Sequence, residues 1–312
     1  MHLKFIIFIA FSILTYVSFA QRPILISSEI IIGLGASNFL GDLGGSDMIG
    51  SDPFSFRDLN FSATKPVGSI AYRYRFDRTH AIRVSVFYGY LSGNDAYSDE
   101  YYRNYRNIHF RTPVVELAGQ YDLMINRQRE GYKYKLRGIK GWRFYNIDTY
   151  FFAGLGAFWF SSEAKYPYDR KWHKLSPLST EGQGLIPTRK RYSPVQITIP
   201  LGIGFKYGIS EKWGIGLEYG IRKTFTDYMD DTSTTYFDNN EIRRNFGDVA
   251  AYFADPNISI TDSSVPPTEQ TAPGEQRGNP TNYDSYMFAT FTITYSVSGY
   301  RSREGTPKFV WL

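Results

Sequence analysis

Cysteine is absent from all 312 residues. That excludes a lipid-modified N-terminal cysteine, disulfide staples and thiolate metal sites. Histidine is nearly as scarce, and only His80, His109 and His173 lie beyond the first twenty residues. His80 sits in a tight turn beside Asp77. His109 begins a strand on which Glu116 falls at an odd offset, hence on the opposite face. His173 lies in a long loop beside Trp172. None has the spacing of a Ser-His-acid unit or of a metal pair, so neither catalytic residues nor a metal or cofactor is expected. The net charge is +5, but no nucleic-acid motif accompanies it. After Gln21 no apolar run approaches the roughly 20 residues of a membrane helix.

The first twenty residues differ from the rest. Lys4 precedes the apolar run Phe5 to Leu14, and Val17-Ser18-Phe19-Ala20 puts small residues just before Gln21. This pattern predicts a cleaved secretory signal peptide over 1–20 and a single domain over 21–312. The chain as a whole is 18% aromatic, chiefly Tyr and Phe, and rich in glycine. An exported, helix-poor chain of that composition fits a β-barrel, whose lipid face needs an apolar residue only at every second position.

Period-two alternation recurs in segments of about ten residues. Ile70, Tyr72, Tyr74 and Phe76 alternate with Ser69, Ala71, Arg73 and Arg75. After a turn at 77–80, Ile82, Val84, Val86, Tyr88 and Tyr90 alternate with Arg83, Ser85, Phe87 and Gly89. Like patterns cover 29–36, 115–121, 147–159, 195–207, 213–222 and 287–297, making eight strands, an even number as single-chain bacterial barrels require. Every set assigned to lipid is free of charge. The expectation is an all-β fold, a closed eight-stranded antiparallel transmembrane barrel in a Gram-negative outer membrane, facing its lipid. Pro200 falls inside the sixth strand, where a bulge is expected.

Connections alternate in length. Long ones at about 37–66, 92–107, 161–194 and 227–284 face outward, and short turns at 77–80 and 210–213 face the periplasm. The exception is 122–146, long yet periplasmic, with Arg127, Arg129, Lys133, Lys135, Arg137, Lys140 and Arg143 against the single acid Glu130. It is a candidate docking segment through charge complementarity; a solvated turn, or one lying on anionic headgroups, fits it equally. The Pro-, Ser- and Thr-rich stretch 255–282 is expected to be mobile.

An eight-stranded lumen is just wide enough for side chains to fill. The inward charges are Glu29, Glu116, Asp148 and Glu218 against Arg73, Arg75, Arg83, Lys206 and Arg222. Near balance of sign predicts a plug of paired ions, with a gated proton or ion path as the alternative. The fourth loop opens with Asp227, Asp230 and Asp231 among hydroxyl residues. Ca²⁺ binding is one reading; a solvated loop whose side chains cap their own turns is the favoured one. The glycines of Ser179-Thr180-Glu181-Gly182-Gln183-Gly184 lack the strand-turn-helix context of a phosphate loop.

Several of these segments resemble the PorG-like outer-membrane proteins of the type IX secretion system. The resemblance rests on the run from Arg222 through Asp227, Tyr228, Met229, Asp230 and Asp231 to Tyr236, and on Gly33-Leu34-Gly35 with Phe39-Leu40-Gly41-Asp42-Leu43. It rests further on Arg111-Thr112-Pro113 with Glu116-Leu117, Tyr150 to Gly156, and Pro177-Leu178 with Thr180-Glu181-Gly182-Gln183-Gly184. Ile199-Pro200-Leu201-Gly202 and Arg277 to Asp284 complete it. It implies a non-enzymatic role in protein export. The partners it implies are the periplasmic ring lipoprotein and that lipoprotein's own partner. It implies no catalytic residues. A ligand-binding or transport barrel is the alternative, and a lipid-modifying enzyme a more distant one.

Overall fold

The computed structural model describes residues 27–43, 63–77, 79–98, 100–126, 147–210 and 212–297. The signal-peptide expectation and the seven cations from Arg127 to Arg143 lie outside them. Strands β1 (Ser27–Leu40), β2 (Lys65–Arg75), β3 (His80–Asn94), β4 (His109–Asn126) and β5 (Ile147–Phe160) come first. The short β6 (Glu163–Lys165) and β7 (Trp172–Lys174) come next, then β8 (Val195–Gly208), β9 (Trp213–Thr224) and β10 (Ser285–Ser296). The eight long strands pair antiparallel in the order β1-β2-β3-β4-β5-β8-β9-β10, and β1 pairs β10 to close the cylinder. The hairpin of β6 and β7 hangs from β4 above the barrel wall.

Alternation dictates the wall. Outward side chains such as Leu34, Ile70, Leu155 and Leu217 are more than half exposed, while their neighbours Glu29, Arg73, Glu116 and Gly156 turn inward. In water such a belt of bare Leu, Ile, Val and Phe would be a liability; in a bilayer it is the required surface. Closure leaves no unpaired sheet edge in hydrocarbon. Outward charges first appear near the outer rim, at Arg111 on β4 and Lys223 on β9. Trp213 packs on Tyr295 at 4.9 Å near the periplasmic rim, as interfacial aromatics do. The chain is therefore an outer-membrane barrel with its long loops outside.

Pro200 produces no bulge. Ala153 opposite Leu201 and Gly156 opposite Thr198 keep one register, with pairing to β5 interrupted between them, while Pro200 stays opposite Arg222 on β9. The missing N–H removes ladder contacts on one side without shifting the strand. A register shift does occur on β4, between Met124 and Asn126. The inner turn after β2 is set by Asp77, whose carboxylate accepts from the Thr79 and His80 backbone N–H at 2.6 and 2.8 Å.

The outer loops fold into a cap. It contains the helices α1 (Tyr101–Arg106), α2 (Asn239–Phe246), α3 (Asp248–Ala254) and α4 (Ile258–Thr261). Asp238 caps α2 by accepting from Asn240 and Glu241 N–H, and Ile242, Ala250 and Ala254 form a small core between α2 and α3. The stretch 255–282, expected to be mobile, is folded. α4 lies within it, Thr268 N–H donates to the Tyr105 hydroxyl at 3.0 Å, and Arg277 is buried.

Candidate functional site

The lumen-facing charges of the described strands lie in ion pairs with one another. Arg73, fully buried, donates from Nε to Asp122 at 2.6 Å, and its Nη atoms lie 3.3 Å from Glu29 and 3.6 Å from Glu218. Arg83 reaches Glu218 at 2.5 Å and Asp122 at 3.4 Å. Arg75 lies 3.2 Å from Glu29 and 3.7 Å from Asp148, and Lys206 Nζ donates to Glu29 at 2.7 Å. Nearer the outside, Arg222 pairs with Glu116 at 3.4 Å while lying over the rings of Phe87 and Phe288. Tyr286 donates its hydroxyl to the same Glu116 at 2.7 Å.

Two further residues join the lumen network. Asp122 needs β4 to run one step past Tyr121, where the predicted strand stops. Tyr150 donates to Glu218 and stacks beneath Arg73 at 4.2 Å. With Asp122 included, Glu29, Glu116, Asp122, Asp148 and Glu218 meet Arg73, Arg75, Arg83, Lys206 and Arg222 one for one. Above the ions, Phe39, Phe110, Phe158, Phe160, Tyr286 and Phe288 form an apolar layer that spans the bore. Among the described residues, a matched ion layer thus lies beneath an aromatic one.

The second constellation lies in the cap, where the loop residues of the family resemblance converge. Glu181 accepts from Ser233 and Thr234 N–H, at 2.9 and 3.1 Å, and from Arg277 at 2.9 Å. Asp231 accepts from Thr180 at 2.6 Å and from the Tyr192 hydroxyl at 2.5 Å. Asp230 takes Leu43 N–H at 3.2 Å, Asp42 takes Asn279 N–H at 2.6 Å, and Asp284 takes Met229 N–H at 2.8 Å. Arg106, from the second loop, donates to the Arg277 and Asp42 carbonyls and pairs with Asp95. Tyr228 stacks on Tyr192 at 4.7 Å. Gly182 holds φ at +75°, and a Cβ there would meet the Phe237 ring at 2.6 Å. Gln183 accepts from Glu181 N–H at 3.0 Å, and Gly184 repeats the positive φ at +84°. At Gly41 a Cβ would strike the Asp284 carboxylate.

The expected solvated loop at 227–236 is thus a buried one. Asp230 accepts a backbone N–H from another loop and Asp231 accepts the hydroxyls of Thr180 and Tyr192, so self-capping survives only in part, as where Asp230 accepts from Thr232 N–H. Burial pushes the Asp227 carboxyl up to about 8 and Asp231 up to about 6. Burial, then mutual repulsion, drives Asp230 and Asp284 well above the carboxylate range. Among the described residues no three Asp, Glu or His side chains are arranged to share a metal ion. The histidines lie apart from both constellations. His80 bonds Tyr121, His109 Nε2 accepts from Lys165 N–H at 3.2 Å, and His173 lies 2.8 Å from Asp169.

A family model described as "Domain of unknown function (DUF6089)" matches residues 4–171. No curated protein matches the chain. Among solved structures, the attachment invasion locus protein Ail of Yersinia pestis, in complex with the heparin analogue sucrose octasulfate, is 9% identical. It aligns over 87% of this chain and 99% of its own, with a TM-score of 0.37. Neisserial surface protein A is 8% identical over 87% of this chain and 96% of its own, with a TM-score of 0.33. A major outer membrane protein from Thermus thermophilus is 10% identical over 86% of this chain and 99% of its own, with a TM-score of 0.32. Likenesses at that level say nothing of this chain's role.

Proposed function

We propose that this chain, which belongs to the DUF6089 family, is a non-enzymatic component of a type IX protein secretion machinery that anchors periplasmic ring subunits at the outer membrane. One observation carries the reading. Glu181, Asp227, Asp230, Asp231, Arg277 and Asp284, among the residues on which the resemblance to PorG-like proteins rests, are buried against one another across the cap. A motif spent on closing the outer end fits a barrel whose business is at the opposite rim. The matched lumen charges fit a scaffold better than a conduit, since separating them would strand ions in a low-dielectric bore.

The periplasmic contact belongs to the basic segment 122–146, through charge complementarity with an acidic ring surface. A mild-detergent pull-down of the tagged mature protein from its own outer membrane tests the role, with co-purifying proteins identified by mass spectrometry. Recovery of the ring lipoprotein and its partner is the expected result. Recovery of the barrel alone, under conditions that keep other membrane assemblies whole, would overturn it. Charge reversal of Arg127, Arg129, Lys133, Lys135 and Arg137 together is expected to abolish capture while the barrel stays heat-modifiable on gels. Unchanged capture would remove the segment from the contact.

A further inference from the structure

The hairpin of β6 and β7 continues the outer wall of the barrel beyond the lipid belt. Arg111 of β4 is paired with Glu163 of β6, which is paired in turn with Lys174 of β7; Lys165 stands opposite Trp172. Residues directly opposed in antiparallel strands share a face. Arg111, Glu163, Lys165, Trp172 and Lys174 therefore all face the side that Val115 and Leu117 present to lipid. The alternate residue Ala164 turns inward and packs on Leu175 and Phe253, so the hairpin cannot be flipped over without losing that core. His109 holds it down by accepting from Lys165 N–H.

Between the hairpin and the barrel wall lies a groove of about 400 Å³, lined by Lys65, Tyr90, His109, Arg111 and Trp172 among others. The Arg111 guanidinium lies 3.9 Å from the centre of the Trp172 ring and 5.5 Å from that of Tyr90. Its Nη2 is 2.8 Å from Glu163, but its Nε has no partner. Arg111, Lys165 and Lys174 thus stand against the single carboxylate of Glu163 on this face, and Lys65 lines the groove from the end of β2. Val115 is four residues down the same face from Arg111, about 13 Å at the rise of a strand. Below the groove the exposed side chains are Val86, Tyr88, Val115 and Leu117. A cationic groove opening onto an acyl-chain surface has the polarity profile of an amphiphile with an anionic head.

We infer that this groove binds the phosphate-bearing headgroup of an outer-leaflet lipid, with Arg111 and Lys65 contacting the phosphate, Lys174 adding positive charge opposite Glu163, and the acyl chains lying on β3 and β4. Lipid is chosen over a soluble phosphate because the groove is continuous with the hydrocarbon-facing wall. Arg suits the task through charge-assisted bonds to phosphate oxygens. The full chain, reconstituted in nanodiscs of mixed phosphatidylglycerol and phosphatidylcholine and then analysed by native mass spectrometry, should retain phosphatidylglycerol preferentially. Lys65→Gln and Lys174→Gln, both at partly or fully exposed positions that leave folding alone, should each lower that retention by about fivefold, and Arg111→Gln by at least as much. Lys212→Gln at the opposite rim should change nothing. Equal retention of the two lipids, or no loss in the variants, would overturn the inference. Displacement of the lipid by inorganic phosphate alone would also overturn it, by making the site one for a soluble anion.

Discussion

Arg277 and Glu181 meet at 2.9 Å with both side chains buried, joining the third outer loop to the fourth. The pair does more than neutralise itself. Glu181 also holds Ser233 and Thr234 N–H, and Arg277 donates to the Asp231 carbonyl at 2.6 Å. Replacing Glu181 with Ala would leave a buried guanidinium unpaired, a change that costs about 3–5 kcal/mol. Trypsin should then cut within 225–284 far faster than in the parent, while gel heat-modifiability shows an intact barrel.

The lumen layer gives a sharper stability test. Arg73→Met leaves Asp122 only its longer contact with Arg83 and removes partners from Glu29 and Glu218, so the midpoint of urea unfolding in detergent should fall by an amount equivalent to about 3–5 kcal/mol. The double variant Arg73→Met/Asp122→Leu should recover part of that loss, because it removes both charges of the tightest pair. No recovery would mean that Asp122 draws its stabilisation from Arg83 alone.

In planar bilayers the protein should show no steady conductance. The Arg73 and Arg83 layer and the Phe158 and Phe160 layer block the bore in series, so an open channel would require both to move. A sustained ohmic current would show that they do.

The cap should loosen as pH rises. Asp227 ionises near 4 when exposed but is held up to about 8 in the folded cap, so between those values the opened form binds fewer protons than the closed one. Stability of the closed cap is therefore full below about pH 4 and declines as pH rises toward 8. Asp230 and Asp284, shifted in the same direction, add to the slope. Hydrogen exchange of 225–236 should show less protection at pH 8.5 than at pH 5.5 after correction for intrinsic rates, and Asp227→Asn should flatten the difference.

Leu155 is about two-thirds exposed, yet Leu155→Arg should destabilise the barrel by about 2–4 kcal/mol, because its surroundings are lipid. An exposed leucine in water would tolerate the change. Refolding yields in bilayers measure it.

The barrel is written in the chain by a local rule. A period of two puts Ile70 out and Arg73 in without reference to anything distant, and the same rule selects nine of the ten lumen ions. It misses Asp122 only because the predicted β4 ends at Tyr121. It says nothing of Pro200, where a bulge and a skipped ladder contact look alike in sequence. The cap obeys no period. Asp230 finds Leu43 from 187 positions away and Asp42 finds Asn279 from 237, and a run of Asp, Thr and Ser reads as a solvated loop until those partners are known. The groove under the β6–β7 hairpin is equally hidden, since Lys165 and Trp172 share a face only once the hairpin forms.

The seam between β1 and β10 sets Glu29 opposite Ser296 and Leu40 opposite Ser285. The first strand of the wall thus waits for the one made after all the others. Until then β1 is a bare edge, able to template aggregation with any other strand. All eight wall strands must therefore have crossed the inner membrane before the cylinder can shut. Biogenesis of this protein is a post-export event, governed by how long an unfinished sheet can be kept from its neighbours.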